Sequence, residues 1–234
     1  MNSAFFQKRE GDFLFVTDEE EFKHLVKARR VRVGEKVRLL SGNGDEYLCE
    51  VKELDARSKR VKAVILKTVL KKRELPFKLT VAFSPLGEDR ANEYLIEKCT
   101  EVGVSAFLPV FFERSTRKRI RRERWLRIAR EAVKQSGRSV VPDIYEPVEL
   151  QSIRKFDGSY RFFGQIDSGT TLSWDKIDGS VIILIGPEGG ITEDEITFLT
   201  DEGFTGVRLC STILRAETAA VLFAGLVVHR MGGA

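Results

Sequence analysis

The stretch VIILIGPEGGITEDEITFLTDEGFTGVRLCSTILRAETA, residues 181–219, decides how the rest of the chain is read. It opens on five unbroken apolar residues, Val181 to Ile185. That run is short for a helix and rich in β-branched side chains, which predicts a strand buried on both faces of a parallel sheet. Gly186-Pro187-Glu188-Gly189-Gly190 turns the chain, and Thr192-x-x-Glu195 is a capping box that opens the next helix. Strand, glycine turn and helix N-terminus together bring backbone N–H groups close to a ligand. Gly203 is the expected end of that helix, and a second strand follows at Val207–Leu209. Ser211 to Ala219 then leads, through polar and charged groups, into an apolar helix that continues to about Val228. GPEGG by itself is more often a connector than a site. It gains weight from the Leu209-x-x-x-Ile213-Leu214-Arg215-x-Glu217-Thr218-Ala219 run that comes one helix and one strand later.

Working outward, strands and helices alternate on both sides. Leu79–Phe83 precedes a helix over about Asp89–Val102, Ala106–Val110 precedes a helix over about Arg121–Gln135, and Arg161–Gln165 precedes the decisive stretch. Alternation of this kind means an α/β fold with a parallel sheet covered on both faces. Ligands on such sheets sit at the carboxyl ends of the strands, where the Gly186 turn and the Cys210 loop both emerge. The charge run Lys71-Lys72-Arg73-Glu74 followed by Pro76 marks a boundary, so the chain divides into residues 1–72 and 73–234. The first part reads as a small, mostly β module. Phe13–Val16 is a strand, Thr17-x-x-Glu20 caps a helix running through Phe22, Leu25 and Val26, and Val37–Leu40 and Tyr47–Val51 form a hairpin at Gly42-Asn43-Gly44. Val61–Val69 is a further strand.

Composition sets limits. The chain has 234 residues and a net charge of +4, but residues 1–73 carry +6, 74–150 carry +2 and 151–234 carry −4. A basic front and an acidic rear suggest a polyanionic partner met by one face, against the ordinary alternative of a solvated surface. Arg114–Arg138 holds 11 Lys/Arg against two Glu. Trp125, Ile128, Ala129, Ala132 and Val133 fall at helical spacing there, leaving Arg121, Arg122, Arg124 and Arg127 to project toward phosphates. Phe5 and Phe6 are candidates for stacking on unpaired bases, whereas Phe111 and Phe112 read as buried packing. Three separated cysteines argue against a disulfide framework and fit a reducing cytoplasm. Two histidines and no CxxC support neither a metal site nor a histidine-based triad. With no long apolar run and no leader pattern, the sequence predicts a soluble, unexported, cytoplasmic protein. Its 32% charged residues, with three Asn and four Gln, lean toward heat adaptation.

GPEGG followed by LxxxILRxETA closely resembles the RsmE family, the 16S ribosomal RNA (uracil-N3) methyltransferases of the SPOUT superfamily. Other segments extend the resemblance over nearly the whole chain. Lys23-His24-Leu25-Val26 through Gly34 is similar to the family's HHLxxVLRxxxGD signature, departing at Lys23 and Arg29. Glu97 to Val104 resembles KxTELGV, with Val102 for Leu, and Glu113-Arg114-Ser115 follows. Glu131-x-x-x-Gln135-Ser136-Gly137-Arg138 and Pro142 resemble ExxEQSxR…P, with Lys134 in place of Glu. The resemblance implies a PUA-like RNA-binding β-barrel over 1–72 and a SPOUT methyltransferase domain with a carboxy-terminal trefoil knot over 73–234. It also implies S-adenosylmethionine as methyl donor, a homodimer, and small-subunit ribosomal RNA or the assembled subunit as partner. No membrane or metal partner is expected.

By the same resemblance, Leu184, Ile185, Gly186, Gly189, Gly190, Leu209, Ile213 and Leu214 hold the cofactor through main-chain groups, with Cys210 and Thr212 standing where the family has Gly and Arg. Arg30, Arg114, Arg121, Arg122 and Arg138 are expected on the RNA. N3 of uridine carries a proton on the Watson–Crick edge, so the base must be unpaired, deprotonated and aligned with the methyl group. Arg215 is the first candidate to stabilise the uridine anion, its alternative being an ion pair with Glu217. Glu188 and Glu217 are the candidate bases, each with an alternative structural role near a helix terminus. Two other functions stay open. One is ribose 2′-O methylation, against which ILRAETA speaks. The other is a non-catalytic RNA-binding assembly factor, which failure to bind S-adenosylmethionine would favour.

Overall fold

The computed structural model of the chain describes residues 1–70, 73–116, 120–168, 170 and 179–231. The expected boundary at Lys71–Lys72 and the Arg117–Arg119 part of the basic stretch lie outside them. The chain forms two compact units, Met1–Glu74 with Val133–Val141, and Leu75–Ala132 with Pro142–Ala234.

In the first unit, β1 (Ser3–Phe5), β2 (Lys8–Glu10), β3 (Phe13–Val16), β4 (Lys36–Leu40), β5 (Asp45–Asp55) and β6 (Arg60–Leu70) form one sheet in the order β1-β4-β5-β6-β3-β2. All pairs are antiparallel except β1 with β4. Strand alternation turns Leu14, Val16, Val37, Leu39, Cys49, Val51, Val61 and Ala63 inward, where they close a core with Phe22 and Leu25. The hairpin at Gly42–Gly44 is where the sequence places it. The expected helix is a single turn, α1 (Glu19–Phe22), running into a π-helical turn at Lys23–Ala28. Its cap is Asp18, whose side chain accepts from the Glu21 N–H at 2.9 Å, rather than Thr17. The Thr17 N–H donates instead to Gln7 Oε1 at 2.7 Å.

Phe5 is 1% exposed, packed with Leu40, Val133 and Val141, and is unavailable for stacking on bases. Two buried ion pairs fix the 133–141 segment within this unit. Lys134 Nζ lies 3.1 Å from Glu21 Oε2. Arg138 donates to Glu74 Oε2 through Nε and Nη2 at 3.0 and 2.8 Å, while the Ser139 and Val140 N–H groups donate to the other Glu74 oxygen at 2.7 and 3.0 Å.

In the second unit, β7 (Leu79–Phe83), β8 (Ala106–Phe111), β9 (Asp143–Ile144), β10 (Val148–Glu149), β11 (Tyr160–Gly164), β12 (Val181–Ile185) and β13 (Thr205–Val207) form a sheet in the order β10-β8-β7-β12-β11-β13, with β9 also on β8. Every pair is parallel. The apolar run of β12 splits by parity. Val181, Ile183 and Ile185 join one core, with Phe83, Phe107, Trp125 and Phe223, while Ile182 and Leu184 join another, with Leu108, Leu199 and Phe204. The first face is covered from α2 (Asp89–Val102), α3 (Arg122–Ser136) and α5 (Ala216–Arg230), the second from α4 (Glu193–Asp201) and the turn of helix at Leu150–Lys155. This is the doubly covered sheet that an unbroken apolar strand requires. The last strand is Thr205–Val207, two residues earlier than the hydropathy suggests, because the chain leaves the sheet at Arg208.

Candidate functional site

β12 ends at Gly186, where a Cβ would stand 2.5 Å from Ile191 Cγ1, so the turn closes only around glycine. The Gly190 N–H bonds the Pro187 carbonyl at 2.9 Å and completes the turn. The capping box then forms as the sequence predicts: the Glu195 N–H donates to Thr192 Oγ1 at 3.3 Å and the Thr192 N–H to Glu195 Oε2 at 2.9 Å. On the neighbouring strand, the chain after β11 is pinned to β13. The Gln165 N–H donates to the Val207 carbonyl at 2.9 Å, and Ser168 Oγ to the Gly206 carbonyl at 2.8 Å. A Cβ at Gly206 would lie 2.0 Å from Gln165 Oε1 and displace that side chain from where it packs over the strand.

Between these turns, at the carboxyl ends of β11, β12 and β13, lies a cavity of about 410 Å³. A volume in this range suits a nucleoside-sized ligand. Ile185, Gly186, Gly190, Leu209, Ile213 and Leu214 line it, six of the residues the sequence singles out. Leu184 and Gly189 are not on its wall: Leu184 is buried on the other face of the sheet, and Gly189 packs against Arg114. The sequence reading missed the Phe163–Asp167 side of the cavity. The available signal was positional, because β11 is the parallel neighbour of β12 and its carboxyl end opens on the same crevice.

The main chain of 209–214 has one property that marks a binding surface. None of its six N–H groups hydrogen-bonds any other described residue. Leu209, Cys210, Thr212, Ile213 and Leu214 of this stretch are on the cavity wall, so these donors remain available to a ligand there. The Cys210 thiol also lines the cavity and donates back to the Thr212 carbonyl at 3.1 Å.

The candidate catalytic groups separate. Glu188 lines the cavity, but both its oxygens are occupied, by the Gly87 N–H at 3.1 Å and by Thr116 Oγ1 at 3.4 Å. Arg215 immediately precedes α5 with its side chain 85% exposed, and its Nη1 stands 4.0 Å from an oxygen of Glu217, which is 18% exposed. Neither of the two is on the cavity wall, although Leu214 and Ala216, to either side of Arg215, are.

The arginines expected on RNA fall into three states. Arg138 is 3% exposed and committed to Glu74, so it is a structural residue, not one offered to a ligand. Arg114 donates to the Gly189 carbonyl at 3.0 Å and braces the GPEGG turn. Arg121 lies 3.3 Å from Asp89, and Arg122 donates to the Ile144 carbonyl at 2.7 Å. Their neighbour Arg124 chelates Glu93, with Nη2 2.7 Å from Oε2, and its hydrogen bonds hold that carboxyl below the usual range. These pairs are solvent-exposed, worth roughly 0–1 kcal/mol each, and a phosphate competes for such groups at little cost. Arg30 is exposed at the turn after the π-helical segment, with φ 53°. No cluster of metal-ligating side chains occurs among the described residues.

Comparison with known proteins supplies a frame for this geometry. Residues 73–228 match a family model described as an RNA methyltransferase domain, and residues 9–64 one described as an RNA methyltransferase PUA domain. The ribosomal RNA small subunit methyltransferase E of Bacillus subtilis (strain 168) is 33% identical over 217 residues, covering 86% of this chain and 84% of the relative. That of Aquifex aeolicus is 27% identical over 98% of this chain and its own whole length. A crystal structure of the Neisseria gonorrhoeae enzyme of the same name, bound to S-adenosyl methionine, superposes with a TM-score of 0.89 at 26% identity, covering 98% and 97% of the two chains.

Proposed function

The chain belongs to the RsmE family of small-subunit ribosomal RNA methyltransferases, and from that premise we propose that it uses S-adenosylmethionine to methylate N3 of a uridine in 16S ribosomal RNA. The observation that carries the reading is the cavity at the carboxyl ends of three parallel strands, walled in part by the 209–214 loop, whose N–H groups bond no described residue. The residues present fit such a donor. Main-chain groups of the 209–214 loop would hold the donor's polar edges, and Gly186 and Gly190 would admit close approach. When bound, the cofactor supplies the electrophilic methyl group.

The chain's own groups supply the rest. Arg114 from outside the cavity, and Glu188 on its wall, hold the GPEGG turn in shape. Arg215, exposed beside the loop and 4.0 Å from Glu217, is the group we assign to stabilise the anion left when N3 loses its proton. Glu217, next to Arg215, and Glu188, on the cavity wall, are the two carboxylates that could receive that proton.

Several finer features belong to the same proposal. Residues 1–72 form the PUA-like RNA-binding barrel and 73–234 the SPOUT domain, in keeping with the two family matches. The carboxy-terminal trefoil knot is supported by connectivity: β13 lies at the sheet edge, yet the following α5 packs on β12 and β7, and the turn after β11 is bonded to 206–208. A homodimer is supported by α5, whose half-buried Leu222 and Leu226 lie outside the core that takes in Val221, Phe223 and Val227. Small-subunit RNA is the substrate and the cytoplasm the place of action; no described helix is long and apolar enough to cross a membrane.

The test is mass mapping of small-subunit RNA incubated with the protein and labelled methyl donor. Label on a uracil ring is expected. Label on ribose would instead establish a 2′-O methylase, and cofactor binding without RNA labelling would overturn the catalytic reading.

A further inference from the structure

Four charged side chains line the cavity: Asp167, Glu188, Glu193 and Arg208. Three have a structural reason to be there. Glu188 ties the GPEGG turn to Gly87 and Thr116. Glu193 is in the first turn of α4, where the helix dipole favours a carboxylate. Arg208 donates through Nε to the Cys210 carbonyl at 3.1 Å and shapes the loop.

Asp167 has no such explanation. It is exposed and makes no hydrogen bond or ion pair with any described residue. Its backbone is nevertheless held in place, by the Gln165 N–H on Val207 before it and by Ser168 after it. Ser168 Oγ both donates to Gly206 and accepts from the Thr170 N–H at 3.0 Å. A carboxylate with no partner among the described residues, carried on a pinned turn at the wall of a ligand cavity, is spare to the fold and available to a ligand there.

Which property of the ligand it reads follows from the chemistry of transfer. The donor carries a positive charge on sulfur. Transfer breaks the S–CH₃ bond, leaves its electron pair on sulfur and forms the N–CH₃ bond, so the product that remains is an uncharged thioether. Donor and product are otherwise nearly the same shape, and main-chain hydrogen bonds to adenine and ribose cannot tell them apart. A fixed negative charge can.

We infer that Asp167 is a specificity-determining residue, which makes the cavity favour the cationic methyl donor over the neutral demethylated product. Glu193 adds a weaker contribution of the same sign. The inference rests on the cofactor reading given above. Its consequence is release of product: the site loosens its hold once the charge has been discharged.

The experiment is calorimetric titration of the full chain, wild type and Asp167→Asn, with three probes. They are S-adenosylmethionine, S-adenosylhomocysteine, and sinefungin, an analogue that carries an ammonium group in place of the sulfonium. A unit charge several ångströms away in a partly solvated site changes affinity about three- to tenfold. Asp167→Asn is therefore expected to weaken both cationic probes by that factor and leave the neutral product unchanged. Raising salt from about 0.05 to about 0.5 M is expected to do the same to the wild type, because exposed charges are screened. Equal weakening of all three probes would mean that Asp167 accepts from a shared hydroxyl, and no change in any would mean that it has no role; either result overturns the inference. Far-ultraviolet circular dichroism and the melting midpoint confirm that the variant is folded. If the wild type binds none of the three probes, the cofactor reading itself has failed. If it binds them but Asp167→Asn leaves their ratio unmoved, the inference alone has failed.

Discussion

The 133–141 segment and the 209–217 loop each carry an arginine set beside glycine-bearing or polar sequence, and each resembles a family motif. Their structures have little in common. Arg138 is enclosed, its guanidinium spent on Glu74, which also takes two backbone N–H groups from the same segment. Arg215 extends into solvent, 4.0 Å from Glu217, at the end of a loop whose 209–214 N–H groups bond no described residue. One arginine is consumed by the fold and the other is left over from it. A motif arginine is therefore sorted by how far the fold engages it: Arg138 is enclosed by its partners, whereas Arg215 keeps most of its surface for a ligand.

Substitutions sharpen the contrast. The largest effect is expected at Glu74→Ala, which would strand a buried guanidinium together with the Ser139 and Val140 N–H groups. Leaving one partner of a buried pair uncompensated costs about 3–5 kcal/mol, to be read from urea denaturation. The second is Arg215→Ala. Its exposed pair contributes less than about 1 kcal/mol, so the denaturation curve should barely move. Methyl transfer at saturating cofactor and RNA should nevertheless fall about 100-fold, the usual consequence of losing a group aimed at developing charge. Full turnover in that variant would remove Arg215 from the mechanism. The third is Thr192→Ala, which opens the capping box beneath the cavity and should cost about 1 kcal/mol of stability.

The same contrast explains how far the sequence could be read. The parallel sheet, the helix at Asp89–Val102, the capping box and both cavity loops follow from local pattern, because five apolar residues in a row or a Thr-x-x-Glu step have few physical meanings. Arg138 was misread because its partner lies 64 positions away and no periodicity connects them. Phe5 was misread for a similar reason: β1 has three residues, too few to show alternation, and only its pairing with β4 buries the ring. Asp167 was passed over because a two-residue turn after a strand carries no motif. Local physics predicts elements; the charges that matter are decided by which groups the finished fold fails to pair.

The smallest effect concerns acid, and it extends the comparison to a carboxylate. Glu19 accepts from Lys23 and Lys59, with the nitrogens at 2.7 and 2.6 Å, and these hydrogen bonds hold its carboxyl down to about 2 from an ordinary 4.5. A carboxyl depressed on folding contributes stability that is present above its unfolded value and lost as the pH falls through its folded one. The loss should therefore be confined to the interval from about 4.5 down to about 2. Glu19 is half-exposed, so solvent and salt screen the interaction. Comparing wild type with Glu19→Gln across that interval should give a small difference at low salt and none near 1 M salt. The loss caused by Glu74→Ala should survive the same salt, because its partners are out of reach of ions. If both differences vanished together, the carboxylate placed inside would be behaving like the one outside, and the distinction between spent and spare charge would fail at its simplest point.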